Sequence, residues 1–204
     1  REGVVLITGE SGTGKELVAR AVHARSPRRD RPFVAFHAAS VPAGLVAAEL
    51  FGAVPGAFTG AKREREGAVG RASGGVLFLD EIGEIPLDVQ PALLRLLESG
   101  ESTALGASES RRFDLRIVAA THRDLAELVA QGLFRQDLFY RLNVFTLDIP
   151  PLRRRRSDIA DLVRHFLARH GGDDLELELE PERAAAKASH VGAHARERVE
   201  IAAA

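Results

Sequence analysis

One short stretch restricts the fold more than any other. A β-branched run, Val-Val-Leu-Ile-Thr (4–8), passes into Gly-Glu-Ser-Gly-Thr-Gly-Lys-Glu (9–16) and then into a helix-like segment over 16–24. A G-x-x-x-x-G-K spacing between a strand and a helix is the context in which a glycine-rich loop cradles phosphate. Gly9, Gly12 and Gly14 permit backbone conformations that aim successive N–H groups into one concavity, and a helix N-terminus adds its dipole. Lys15 is placed to reach the β- and γ-phosphates of a nucleotide. The expected binding loop is therefore Gly9, Glu10, Ser11, Gly12, Thr13, Gly14, Lys15 and Glu16. At Glu16 such loops usually carry Ser or Thr.

Strand-like and helix-like segments alternate from there. Strands are predicted at 4–8, 32–37, 75–80, 115–121 and 144–149, and helices at 16–24, 42–51, 86–100, 124–131 and 134–142. In the helix at 86–100, Leu93, Leu94 and Leu97 form the expected apolar stripe and Gly100 the stop. The run 75–80 (Gly-Val-Leu-Phe-Leu-Asp) has no polar alternation, as a strand covered on both faces requires. The fold class is α/β: a parallel sheet with helices on both faces. A double proline and four arginines, within 149–159, break the rhythm. Beyond them only helix-like segments appear, roughly 157–169 and 181–189, so the chain divides into an α/β core, 1–150, and a small helical subdomain, 151–204.

Composition narrows the classes. Among 204 residues there is no cysteine, which excludes disulfides and thiolate metal sites. The formal net charge of -1 argues against bulk electrostatic binding of nucleic acid. No apolar run approaches the ~18 residues that span a bilayer, so no membrane role is expected. Methionine is absent even at position 1, and the first strand begins almost at once, which suggests a piece of a longer protein.

The run 74–84 (Gly-Gly-Val-Leu-Phe-Leu-Asp-Glu-Ile-Gly-Glu) supplies a second half-site. A strand ending in Asp80-Glu81 puts carboxylates beside the phosphate loop of such a sheet. Asp80 is the expected Mg²⁺ residue, and Glu81 the residue that orients and polarises the attacking water. ATP hydrolysis is the expected chemistry.

With these residues in view, the chain resembles the AAA+ ATPase domain of bacterial sigma-54-dependent transcriptional activators, the enhancer-binding proteins. The resemblance covers roughly 3–169 and includes Glu16. It rests on "GESGTGKELVARAVH", "ELFG", "GAFTGA" (56–61), "GGVLFLDEIGE", "RIVAATHRDL" (116–125), "GLFRQDLFYRLNVF" (132–145) and "IPPLRRRRSDI" (149–159), all in family order. It implies an AAA+ P-loop core followed by a helical lid, ATP with Mg²⁺, a hexameric ring and a cytoplasmic location. It also implies that Gly56, Ala57, Phe58, Thr59, Gly60 and Ala61 form a loop that contacts sigma-54 within its RNA polymerase holoenzyme. Arg135 and Arg141 match the positions from which a neighbouring subunit completes the site, and they lie six apart on the helix expected at 134–142. No helix-turn-helix is found in the chain; enhancer recognition is expected of a separate C-terminal domain.

Three family asparagines are histidine here: His37, His122 after Thr121, and His194 in "VGAHARER" (191–198), where Arg196 aligns with the second sensor arginine. Thr121 and His122 form the expected first sensor. The resemblance places His37 between Glu81 and the sigma-54 loop. Histidine, unlike asparagine, can take up a proton in mildly acidic solution, so activity is expected to fall on acidification through a charged His37 beside Glu81. The arginines 153–156 read as a solvated or intersubunit charge run. Two other readings stay open: an AAA+ remodeller of a different client, and a nucleotide-binding interaction module without turnover.

Overall fold

The structure is a computed structural model and describes residues 3–57 and 63–170. The chain forms two units. One comprises Arg1–Gly9 with Gly14–Ile149, and the other Glu10–Thr13 with Pro150–Ala204.

The first unit is built on a five-stranded sheet. In chain order it holds β1 (Val5–Thr8), α1 (Lys15–Ala24), β2 (Phe33–His37), α2 (Val46–Phe51), α3 (Ala68–Arg71), β3 (Val76–Asp80), α4 (Gln90–Ser99), β4 (Glu101–Ser102), β5 (Arg111–Arg112), β6 (Arg116–Thr121), α5 (Leu125–Ala130), α6 (Gln136–Leu142) and β7 (Phe145–Asp148). The strand order is β2-β3-β6-β1-β7, and every pairing is parallel. Parallel neighbours need crossovers, and the helices supply them on both faces.

Alternate side chains of each strand enter two separate cores, because successive Cβ atoms point to opposite faces. Val5, Ile7, Val76, Phe78, Val118 and Ala120 face α1 and pack around its Ala19. Leu6, Leu77, Leu79, Ile117 and Ala119 face the other way, against Val46 and Leu50 of α2, Leu93 and Leu97 of α4, and Leu138 of α6. Each buried Val, Leu, Ile or Phe among them contributes about 1.5–3 kcal/mol, so the uninterrupted apolar runs are what two covered faces demand.

The helices differ from expectation mainly at their ends. The segment 42–51 opens with a 3-10 turn, Ala43–Leu45, and is α-helical only from Val46. The segment 86–100 becomes helical at Gln90, and its buried stripe is Leu93, Leu96 and Leu97, with Leu94 half-buried. Gly100, at φ 75°, returns its N–H to Leu96 and ends the helix. Asp124 caps α5, accepting from the N–H groups of Ala126 and Glu127. The one-turn helix α3 and the ribbon β4–β5 were not foreseen; four- and two-residue elements carry no periodicity to read.

In the second unit a 3-10 turn, Leu152–Arg154, follows the double proline and leads to α7 (Asp158–His170). The predicted helix 181–189 and Arg196 lie outside the described residues. Among the described residues no helix is long and apolar enough to cross a membrane.

Candidate nucleotide site

The register of the sheet brings its chemistry to one level. His37 is level with Asp80, and Thr8 with both Thr121 and Asp148, so the strands finish together at their carboxyl ends. Thr8 Oγ1 donates to Asp148 Oδ1 at 3.0 Å, tying two of these ends side by side. In open α/β sheets ligands bind beyond the carboxyl ends.

Asp80 closes β3 and Glu81 begins the turn after it. Glu81 sits at φ 53°, ψ 54°, and is the one non-glycine residue with positive φ among those described. A left-handed residue with a Cβ costs roughly 1–2 kcal/mol, here offset by the burial of Ile82 immediately behind it. The turn aims the Glu81 carboxylate at Lys15, whose Nζ lies 3.6 Å from Oε1. Lys15 is only 7% exposed and also donates to the Gly9 carbonyl at 3.1 Å. On the other carboxylate oxygen, Oε2, His122 converges twice: its Nδ1 at 2.7 Å and its backbone N–H at 3.2 Å. A carboxylate only accepts, so that imidazole carries its proton on Nδ1.

The second histidine is not where it was expected. His37 Nδ1 meets Asp80 Oδ2 at 3.0 Å; the residue beside Glu81 is His122. The reason is the register, since β2 runs next to β3 with His37 opposite Asp80, while Glu81 has already turned toward β6. Asp80 Oδ1 also accepts the Glu81 N–H at 3.1 Å. The chain from His37 continues through a 3-10 turn, Ala38–Ser40, toward α2, so a covalent route toward the loop at 56–61 starts from Asp80's partner. Thr121 is buried and its Oγ1 accepts the Arg123 N–H at 3.0 Å.

Gly9, Gly12 and Gly14 adopt φ of 151°, 77° and 88°, conformations that a side chain disfavours. No side chain caps the start of α1, which leaves its first N–H groups for an anion. Glu16 turns along the helix to Arg20, at 2.6 Å, and so does not fill the role of the usual hydroxyl. Glu10 and Thr13, in the second unit, are held by arginines of the 153–156 run. Arg153 donates to both Glu10 carboxylate oxygens, at 2.6 and 2.5 Å, and Arg155 to the Thr13 carbonyl at 2.8 Å. Arg153 is 63% exposed, as a solvated charge run requires, yet it and the less exposed Arg155 also hold specific partners in the loop. The Arg153 hydrogen bonds hold the Glu10 carboxyl below its usual range, and Glu10 raises Arg153 in turn. Sequence reading missed both pairs; they join residues more than 140 positions apart.

The 56–61 loop is described only at its first two residues. Gly56 and Ala57 form a turn; Phe58, Thr59, Gly60 and Ala61 lie outside the described residues. Its neck is closed by Ala53 and Arg65, which exchange backbone hydrogen bonds at 3.0 and 2.9 Å. A third strand of backbone backs the neck: Leu105 donates to Gly52 at 2.8 Å and accepts from Val54 at 3.0 Å. The side chains of Arg65 and Glu49 pair at 2.6 Å. This backing by residue 105 was also unforeseen.

Arg135 and Arg141 do not share a helix. Arg135 is the residue before α6, extended at φ -74°, ψ 134°, and its guanidinium grips Asp137 at 2.7 and 3.0 Å. That pairing raises Arg135 and lowers Asp137. Arg141 lies in the last turn and donates to the Leu97 carbonyl at 3.1 Å. It borders a cavity of about 640 Å³ whose lining includes Val4, Leu115 and Val144, the residues just before β1, β6 and β7. Arg141 is therefore at the opposite end of the strands from Glu81.

A family model described as the sigma-54 interaction domain matches residues 1–148. The DNA-binding transcriptional regulator NtrC of Escherichia coli (strain K12) is 54% identical over 185 residues, 89% of this chain and 39% of that protein. NtrC of Azospirillum brasilense is 58% identical over 163 residues, 80% and 34% of the two chains. The crystal structure of NtrX from Brucella abortus in complex with ATP superimposes with a TM-score of 0.77 at 38% identity, covering 84% of this chain and 37% of that one. The chain thus spans between a third and two fifths of the length of these relatives. The parallel sheet and phosphate loop are those of an AAA+ P-loop NTPase, and with the match running through 148 of its residues the chain belongs to the sigma-54 interaction domain family.

Proposed function

We propose that this domain hydrolyses ATP and uses the cycle to drive its 56–61 loop against sigma-54, so that the RNA polymerase holoenzyme opens its promoter. The observation that carries the reading is Glu81, held between Lys15 and His122 at the carboxyl end of the sheet. Lys15 and the glycine loop bind the phosphates. Glu81 takes a proton of the attacking water as its oxygen bonds to the γ-phosphorus and the bond from that phosphorus to the β–γ bridging oxygen breaks, with ADP leaving. The ATP complex of the related NtrX supports nucleotide binding.

Among the described residues no three His, Asp or Glu side chains converge as a metal cage. That suits Mg²⁺, which keeps its waters and the substrate's phosphates and takes one or two protein carboxylates. Asp80 is that carboxylate. Bound there, Mg²⁺ would neutralise charge on the phosphates, and the His37 contact with Oδ2 would steady the Asp80 carboxylate.

Transition-state charge on the γ-phosphoryl calls for a cation from beyond the loop. Arg141, at the far end of the strands, serves the site of a neighbouring copy, and Arg135, at the other end of α6, is assigned to that same neighbouring site. Activity then belongs to an oligomer, a hexameric ring in the cytoplasm. Arg196 is assigned the second-sensor contact. DNA recognition falls to other parts of the whole protein.

The test is capture of sigma-54 by the whole chain in ADP plus a γ-phosphate transition-state mimic, compared with Thr59→Ala, alongside steady-state turnover of Glu81→Gln. Capture that needs Thr59, with turnover lost at least 100-fold in Glu81→Gln but ATP binding kept, supports the proposal. Turnover without capture would point to another client. Binding without turnover at any protein concentration would leave a nucleotide-dependent interaction module.

A further inference from the structure

We infer that Arg153 and Arg155 are positioning residues for the phosphate loop, and that the segment after the double proline thereby sets the affinity for nucleotide. The inference rests on the reading of 9–16 as the nucleotide loop.

The loop tip, Glu10–Thr13, belongs to the same unit as Pro150–Ala204, not to that of the sheet. It is bounded by Gly9 and Gly14, both at positive φ. The tip is closed on itself: the Thr13 hydroxyl and N–H both donate to the Glu10 carbonyl, at 2.8 and 3.4 Å. Its two ends are then fixed by arginines two positions apart. At one end Arg153 makes a two-pronged contact with the Glu10 carboxylate, a geometry that fixes direction as well as distance. At the other, Arg155 holds the Thr13 carbonyl and reaches Asp158, in the first turn of α7, at 3.6 Å. The 3-10 turn Leu152–Arg154 sets the spacing between the two arginines.

Charge gives this hold a chemical purpose. Glu10 is an anion inside a loop that must accept a polyphosphate, and like charges a few ångströms apart repel. Arg153 cancels that charge while leaving the carboxylate as an anchor. Removing Arg153 loosens one end of the tip and leaves the Glu10 carboxylate less compensated, with Arg155 still on Thr13. Removing the Glu10 charge as well takes away the repulsive part. A purely scaffolding role for Arg153 predicts no such recovery.

The experiment is ADP binding to the whole chain by titration calorimetry, with melting temperature as the check of folding. Arg153→Ala is expected to weaken ADP five- to twentyfold, and Glu10→Gln/Arg153→Ala to regain most of that loss. Arg153→Lys, which keeps the charge but not the two-pronged geometry, falls between. Arg156→Ala, an exposed neighbour, binds as the parent does. Raised salt narrows the gap between Arg153→Ala and the parent, because exposed charges are screened. The inference is overturned if Arg153→Ala binds ADP like the parent, or if Glu10→Gln recovers nothing. A parent chain that does not bind ADP at all overturns the nucleotide reading first, and this inference with it.

Discussion

His122 holds one oxygen of Glu81 from two directions, its ring Nδ1 at 2.7 Å and its backbone N–H at 3.2 Å, while the other oxygen faces Lys15 at 3.6 Å. The carboxylate proposed to activate water is therefore oriented by the end of β6, a different strand from the one that carries it.

The first expectation concerns that orientation. In His122→Ala the carboxylate keeps only the backbone N–H and the lysine, on a backbone already in the left-handed region. Misplacement of about 1 Å costs on the order of 100-fold in rate. Steady-state kinetics should show kcat lowered 10- to 100-fold with KM for ATP within about threefold. A KM effect of the same size as the kcat effect would mean that His122 acts on binding instead.

The placement of Arg141 gives a mixing test. Arg141→Ala alone should lose turnover by at least about 100-fold, as should Lys15→Ala. Mixed, the two inactive chains should regain measurable ATPase, because one retains the phosphate loop and the other the arginine. Mixtures as inactive as their parts would show that Arg141 serves its own chain.

At the neck of the 56–61 loop, Gly67 passes so close to the chain at 51–52 that a Cβ would lie 2.3 Å from the Gly52 nitrogen and 2.4 Å from the Phe51 carbonyl carbon. These are backbone atoms and cannot rotate away. Gly67→Ala should open the Ala53–Arg65 bridge and cost about 1–3 kcal/mol, the range for overpacked sites. Thermal melting checks the cost. Capture of sigma-54 should fall more than ATP binding does, and equal losses would deny the neck a specific role.

Asp114 offers a pH test away from the nucleotide. Its hydrogen bond and ion pair with Arg28, at 2.8 Å, hold its carboxyl below the ordinary value of 3.8. A depressed folded value means the stabilisation is present above pH 3.8 and is lost as pH falls through the lower folded value. Asp114 is largely exposed, so the pair contributes at most about 1 kcal/mol. Asp114→Asn should melt about 1–4 °C below the parent at pH 7, converging with it as pH falls below the carboxyl range. A gap that persists in acid would mean that the Asp114 side chain acts by shape.

The parts of this protein that were legible in its sequence share one trait: local continuity. The strand–loop–helix unit around Lys15, and the strand ending in Asp80-Glu81, announce themselves because strand, glycine and charge follow one another along the chain. What was misread depends on register. Nothing in 32–37 or 115–122 says which strand lies beside β3 or how far it slides, so His37 and His122 could not be matched with the right carboxylate. The pairing of Arg153 with Glu10 was hidden for the same reason. A run of four arginines before an acidic helix start reads as solvated until its partner across the chain is known. Arg135 was read as helical because its apolar neighbours keep helical spacing through the true boundary. The break comes from Gln90, whose Oε1 accepts the Arg135 N–H at 2.8 Å, a contact made 45 positions away.

On the proposal that Arg141, at the opposite end of the strands from Glu81, serves a neighbouring site, each copy would own the beginning of one reaction centre and the end of another. Complete centres are then counted by junctions rather than by molecules. A lone copy would have none, and an open row of any length would have one fewer than its members. Only closure of the row brings the two counts level. Assembly would thus act as an arithmetic safeguard, with an unfinished ring always holding at least one copy that can grip its fuel but not spend it.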